Sequence, residues 1–203
     1  MSAVLEKIVI RRLGLIEYDA ARQAMKSFTL QRQDATPDEL WLVEHPPVYT
    51  LGQGAKEVVV GNGIPVVRSD RGGEVTYHGP GQVVLYTLID LARRGIKVKA
   101  FVRLLEQAVI DLVGPRAERK VDAPGVYVGG AKLAALGIRV ARGRSYHGLA
   151  INVDMNLAPF AAIDPCGFPG LAVTQMKDLG FSMSKQEAGE RLARLLSERI
   201  DNA

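Results

Sequence analysis

The sequence predicts an α+β fold in which helices pack on a mixed, largely antiparallel sheet. Three observations carry that prediction. Short β-branched runs recur along most of the chain, only three stretches show helical spacing, and many of the strands are joined by Gly-rich turns too short for crossover helices. At 203 residues and 47% hydrophobic, the chain can bury one sizeable core, so one domain over residues 1–203 is expected.

The elements follow in order. Ile8, Val9 and Ile10 mark a first strand over Lys7 to Leu13. Ala21, Ala24, Met25 and Phe28 recur at three- and four-residue spacing, which predicts a helix from Tyr18 to about Arg32 that ends before Pro37. Leu40–Val43 and Val48–Leu51 read as strands around His45-Pro46-Pro47, with His45 in a structural role, and Pro65–Arg68, Val75–Tyr77 and Gln82–Ile89 as three more. From Lys97 to Val113 the residues Val98, Phe101, Val102, Leu105, Ala108, Val109 and Leu112 share one helical face, and Gly114-Pro115 stops the helix. Arg119–Asp122, Gly125–Val128, Lys132–Val140 and Ser145–Val153 predict four further strands, with hairpins at Gly129-Gly130 and Arg142-Gly143-Arg144. Ser184 and Glu187 have capping-box spacing at the start of a last helix, whose inner face carries Ala188, Leu192, Leu195 and Leu196. The three helices are expected on one side of the sheet.

Composition narrows the function. A net charge of +4 without long runs of like charge suits an acidic protein partner, and 6% aromatics without basic-aromatic alternation argues against nucleic acid. A single cysteine excludes an intramolecular disulfide and a cysteine-rich zinc site, so neither metal nor cofactor is expected. The N-terminal residues hold Glu6 and Lys7 and no long apolar run, which argues against a signal peptide or a membrane segment and for a cytoplasmic protein.

That cysteine is the leading chemical candidate. A free cysteine is more often a small buried hydrophobe, but Cys166 lies between Pro165, Gly167, Pro169 and Gly170, which forbid a regular helix or central strand. Lys132 is the only charged residue between Gly125 and Ile138. A thiolate beside its ammonium would ionise below the free value of about 8.5 and become nucleophilic. The alternative for Lys132 is an edge-strand lysine that snorkels to water. His78 and His147 compete for the role of base. The glycine-rich run from Arg71 to Gln82 reads as a pocket wall or as a simple turn, and it has neither P-loop nor dinucleotide-fingerprint spacing.

Four motifs in one order, RGGEVTYHGPGQ at Arg71–Gln82, GGAKLAALGIRV at Gly129–Val140, SYHGLAINV at Ser145–Val153 and DPCG at Asp164–Gly167, together resemble the octanoyltransferases of lipoate synthesis. LWLVEHPPVYTLGQG at Leu40–Gly54 extends the likeness, which covers the chain from about Leu40 to Met176. The resemblance implies the biotin/lipoate protein ligase-like fold. It further implies transfer of an octanoyl group from octanoyl-acyl carrier protein to a lysine of lipoyl domains, those of the 2-oxoacid dehydrogenase complexes and of the glycine cleavage H protein. Cys166 matches the acyl-accepting cysteine and Lys132 the lysine that assists it. Substrate-binding positions fall on Arg71, Gly72, Gly73, Glu74, Val75, Thr76, Tyr77 and His78, on Ala135, Leu136 and Gly137, and on Gly148, Leu149 and Ala150, with no separate role for Glu74. A monomer is expected.

The implied chemistry is exchange of one thioester for another, then aminolysis, without ATP. Leu136, Leu149, Tyr77 and His78 are expected to line an apolar slot, and backbone donors near Gly137 or Gly167 to hold the oxyanion. Arg142 and Arg144 are expected contacts for the carrier protein. An ATP-dependent lipoate or biotin ligase and a non-catalytic acyl-carrier-binding module are the competing readings.

Overall fold

The computed structural model describes residues 7–121, 123–163 and 170–203. Its framework is a seven-stranded sheet in the order β1-β2-β6-β10-β9-β8-β7, where β1 is Val9–Leu15, β2 Glu39–Glu44, β6 Gln82–Leu88, β7 Ala117–Arg119, β8 Gly125–Val128, β9 Ala131–Ala141 and β10 Arg144–Asn152. Every neighbouring pair is antiparallel except β1 with β2. A second sheet, β4-β3-β5, joins Val66–Arg68, Val48–Leu51 and Val75–His78. Two sheets therefore stand where the sequence predicts one. The strands β3 to β5 are only three or four residues long; β3 follows Pro46-Pro47, β4 follows Pro65 and β5 follows the Gly72-Gly73 turn, so each is set off from the long strands by a breaker.

Alternation along β6 shows how the large sheet is covered. Val83 and Leu85 join Leu40, Leu149 and Ile151 against helices α3 (Val98–Val113) and α4 (Lys185–Asp201), in a core that also holds Phe101, Leu105 and Leu192. Val84, Tyr86 and Leu88 face the other way, toward Ala21 and Met25 of α1 (Tyr18–Gln31). The expectation that all helices share one side is thus corrected. Both faces of the central strands are apolar, and each needs its own cover. Each large side chain buried here contributes roughly 1.5–3 kcal/mol.

Boundaries shift where local chemistry overrides β propensity. The first strand runs on through Leu15 because a register shift between Arg12 and Gly14 absorbs the glycine. The strand expected at Arg119–Asp122 is instead β7, earlier in the chain, and Asp122 lies outside the described residues. A four-residue helix α2, Leu91–Arg94, is too short to leave a periodic signal; Asp90 caps it by accepting from Arg93 N at 3.0 Å, and Gly95 closes it at φ 68°. For α4 the Ser184 cap is present, its hydroxyl accepting from Glu187 N at 3.2 Å. Among the described residues no helix is long and apolar enough to cross a membrane.

One close approach sets the sheet's geometry at the site. A Cβ added to Gly148 would lie 2.1 Å from the Leu85 carbonyl oxygen, a backbone atom that cannot move aside without breaking the β6–β10 ladder. Gly148→Ala is therefore expected to lower stability by about 2 kcal/mol or more. Gly61→Ala, which would meet nothing within 4 Å, serves as the control and should unfold close to wild type. Urea unfolding of both proteins checks this, and equal midpoints would contradict it.

Candidate active site

A narrow slot lies between the two sheets, with about 490 Å³ of empty space between its walls and at its mouth. The large sheet supplies one wall. Ala135 pairs with Ala150 and Gly137 with Gly148, so four small residues form a smooth trough across β9 and β10. Opposite them stand Thr76 and His78 of β5 and the loop at Gly73 and Glu74. The mouth is at Gly73, which is exposed, and the half-buried Ala135, while the inner end is formed by buried rings of Tyr18, His78, Tyr86 and His147.

Backbone bonds tie the glycine-rich loop to both sheets. Gly72 N donates to Ile138 O at 3.0 Å on the β9 side, and on the β3 side Gln53 N donates to Arg71 O at 2.9 Å and Gly54 N to Gly73 O at 3.1 Å. Gly52 has no room for a side chain, since its Cβ would lie 2.1 Å from Gly73 O. The Arg71 guanidinium is buried and fastens the loop, donating to Thr50 O at 2.7 Å, Thr50 Oγ1 at 2.8 Å and Gly72 O at 3.0 Å.

All three histidines of the chain gather at the inner end. His45 donates from Nδ1 to Ile16 O at 2.7 Å and accepts at Nε2 from the Tyr86 hydroxyl at 2.6 Å, which uses both nitrogens structurally. His78 donates from Nδ1 to Gln82 Oε1 at 2.7 Å. Gln82 donates onward to Asn152 Oδ1 at 2.9 Å, and Asn152 to Thr174 O at 3.0 Å. Burial above all, with His45 nearby, pushes the His78 imidazole down to about 3, so it is neutral near pH 7. His147 sits at φ 60°, a left-handed conformation unusual for a non-glycine residue, and donates from Nε2 to Asp70 Oδ1 at 2.9 Å. The Tyr146 hydroxyl donates to the other Asp70 oxygen at 2.5 Å. The His147 bond, aided by Tyr146, holds the Asp70 carboxyl below its ordinary range, while burial keeps His147 below the usual histidine value despite that carboxylate. Among the described residues His147 Nδ1 has no hydrogen-bond partner.

Lys132 is 3% exposed and lies on β9, about 10 Å along the strand from Ala135. The edge-strand alternative does not hold, because β9 is bordered by β8 and β10. Lys132 N donates to Ala172 O at 2.8 Å, and Thr174 N donates to Lys132 O at 2.9 Å, so the segment that returns after Gly170 lies directly against this residue. Its ammonium nitrogen stands 5.3 Å from the centre of the Tyr127 ring. Gly125 leaves the space for the stem, since a Cβ there would lie 2.7 Å from Lys132 Cε. Cys166, with Asp164, Pro165, Gly167 and Pro169 around it, lies outside the described residues.

The slot brings together residues from three expected segments: Arg71, Gly73, Glu74, Val75, Thr76 and His78; Ala135, Leu136 and Gly137; and Gly148, Leu149 and Ala150. It does not include Gly72, which bridges to Ile138, or Tyr77, whose ring packs with Tyr49 and Phe160 on the far side of β5. Leu136 and Leu149 border the slot as expected and also pack into the core under α3 and α4. Gly137 lies in a strand ladder rather than a turn, and Gly167 is outside the described residues. Arg144 is engaged with Asp90 at 3.1 Å and Arg32 O at 2.8 Å, contacts that fix the hairpin to the fold. Sequence reasoning missed Tyr18, Val84 and Tyr86. The alternation of β6 offers the last two once the cavity face is known, whereas nothing local marks Tyr18.

With this fold and slot, the chain belongs to the class of lipoyl protein ligase A/B catalytic domains, whose family model matches residues 18–197. The fold agrees. A bipartite lipoate protein ligase from Thermoplasma acidophilum superposes with a TM-score of 0.72 at 17% identity, covering 95% of this chain and 84% of that one. The biotin protein ligase of Aquifex aeolicus does so at 0.56 and 10% identity, covering 98% and 71%. Within the class the chain belongs to the octanoyltransferase family. It is 56% identical to the octanoyltransferase of Dechloromonas aromatica over 198 residues, 95% of this chain and 97% of that protein. It is 57% identical to that of Aromatoleum aromaticum over 198 residues, 95% and 86%.

The buried histidines make stability depend on pH with a definite sign. Burial holds their folded values below the ordinary histidine value of about 6.5, and that of His78 reaches about 3. Below pH 6.5 the unfolded chain therefore binds more protons than the folded one, and each histidine withdraws up to about 1.4 kcal/mol per pH unit. The loss continues toward pH 3 for His78. Urea unfolding should show stability falling from pH 6.5 to 5, before the carboxylates titrate. A constant midpoint over that range would contradict the neutral assignment.

Proposed function

We propose that this octanoyltransferase takes its acyl group from octanoyl-acyl carrier protein, holds it as a thioester on Cys166, and passes it to a lysine of a lipoyl domain with Lys132 as acid and base. The observation that carries this reading is the placement of Lys132. It is buried on β9, the strand that carries Ala135 and Gly137 of the trough, and is bonded through its backbone to Ala172 and Thr174, on the segment that follows Cys166 in the chain.

The steps balance as follows. The Cys166 thiolate attacks the donor thioester, the carbon–sulfur bond to the carrier breaks, and the departing sulfur takes a proton from the Lys132 ammonium. One thioester replaces another, so no ATP is consumed. The lipoyl lysine attacks the acyl-enzyme as a neutral amine, its nitrogen gives one proton to the neutral Lys132 amine as the carbon–sulfur bond to Cys166 breaks, and an amide and the Cys166 thiolate result. Lys132 is once more an ammonium, and thioester to amide runs downhill. The acyl chain lies in the trough of Ala135, Gly137, Gly148 and Ala150. Acceptors of this kind are the lipoyl domains of 2-oxoacid dehydrogenase complexes and the glycine cleavage H protein. The protein acts in the cytoplasm as a monomer.

His78 is a poor candidate for the base. Its value of about 3 leaves it little proton affinity near pH 7, and its Nδ1 is committed to Gln82. Its part is to wall the slot.

Incubation of octanoyl-acyl carrier protein with a lipoyl domain, without ATP, should add one octanoyl mass to the acceptor lysine. Cys166→Ala should abolish the transfer. Activity that requires ATP and free octanoate and survives Cys166→Ala would make the protein a ligase instead. Lys132→Ala should lower transfer by about 10²-fold or more with the fold retained. It should also raise the apparent pKa of the Cys166 thiol in iodoacetamide titrations. An unchanged thiol pKa would break the proposed pairing.

A further inference from the structure

The slot has a graded geometry that bears on which acyl chain it accepts. Its sheet wall carries Ala135, Gly137, Gly148 and Ala150 in two facing pairs, so that wall offers a chain much the same contact at each step and no place to stop. The stop is at the inner end, where Tyr18 and Tyr86 are each 3% exposed. Tyr18 stands in the first turn of α1, outside every glycine-rich segment of the site. Its ring stacks on His78, with centroids 5.9 Å apart and planes 13° from parallel, and meets His45 edge-on at 5.3 Å.

The polar tips of this wall are turned to partners. The Tyr18 hydroxyl shares a 2.7 Å hydrogen bond with Ser69 Oγ, and the Tyr86 hydroxyl donates to His45, which is itself fixed to Ile16 O. His78 is held through Nδ1 by Gln82. With those ends anchored, the rings cannot swing aside without breaking buried hydrogen bonds, so the wall is stiff.

We propose that Tyr18, backed by Ser69 and His78 and flanked by Tyr86, is the residue that sets acyl-chain length. This rests on the slot being the acyl site of the transferase proposed above. A chain that fits ends its terminal methyl against the tyrosine rings. A longer one must either displace a hydrogen-bonded ring or leave its thioester short of the reacting sulfur. Misfit of a single methylene in such a pocket is worth about 10- to 200-fold in kcat/KM.

The experiment is transfer from hexanoyl-, octanoyl-, decanoyl- and dodecanoyl-acyl carrier protein to a lipoyl domain, read as kcat/KM for each. Wild type should prefer octanoyl over dodecanoyl. Tyr18→Ala should raise the dodecanoyl-to-octanoyl ratio about tenfold or more, and Tyr18→Leu should move it the same way by less. Tyr18→Phe keeps the ring and should keep the wild-type ratio, whatever it does to the rate. If Tyr18→Ala does not fold, as judged by circular dichroism, the leucine variant carries the test. Wild-type selectivity in a folded Tyr18→Ala or Tyr18→Leu protein overturns the inference while leaving the transferase intact. Absence of octanoyl transfer by wild type overturns the function beneath it.

Discussion

The close contact of β10 with its two neighbours is the constraint on which the rest of the site depends. Gly148 faces Gly137 across one ladder and Tyr86 across the other, with the Leu85 carbonyl where its side chain would be. Gly137 is closed too, less tightly, since its Cβ would lie 2.9 Å from Gly72 O. These two glycines let the loop at Arg71–Glu74 come down on the sheet, and Ala135 and Ala150 continue the floor. The slot is the space left when backbone packs on backbone. Its floor is set by peptide geometry, and its inner end by the rings of Tyr18, His78, Tyr86 and His147.

That inner end resolves a difficulty created by the fold. Three imidazoles, three phenols and a carboxylate meet where two sheets and a helix converge, and each charge there would be costly. The structure keeps the imidazoles neutral by burial and satisfies their protons pairwise, His45 with Ile16 and Tyr86, His78 with Gln82, and His147 with Asp70. Asp70 is the one ionised member and keeps partial contact with solvent. Hydrogen bonding fixes which ring faces turn to the slot, so a polar cluster presents a largely hydrocarbon surface.

Much of this was legible in the sequence, in unequal ways. The helix of α1, the strand β3 and the capping serine of α4 follow from spacing and side-chain type, and the structure has them at or close to the expected residues. The motifs at Arg71–His78, Ala135–Gly137 and Gly148–Ala150 mark positions that converge on one slot. Orientation was not legible. Leu136 and Leu149 border the slot while also packing under α3 and α4, and the register that sets their small neighbours Ala135, Gly137, Gly148 and Ala150 side by side shows only once the strands are paired. The side on which α1 packs was hidden for the same reason, since a strand apolar on both faces does not say which helix covers which. Tyr18 carries no local signal, because its place in the site depends on a contact between the first helix and strands far along the chain.

A crystal structure of the enzyme trapped with an octanoyl or decanoyl group would show whether the acyl chain lies in this trough, as proposed. Alkyl density is expected over Ala135, Gly137, Gly148 and Ala150, with the terminal carbons against the rings of Tyr18 and Tyr86. A chain lying instead in the open groove bordered by Glu44, Tyr77, Met155 and Phe181 would contradict it.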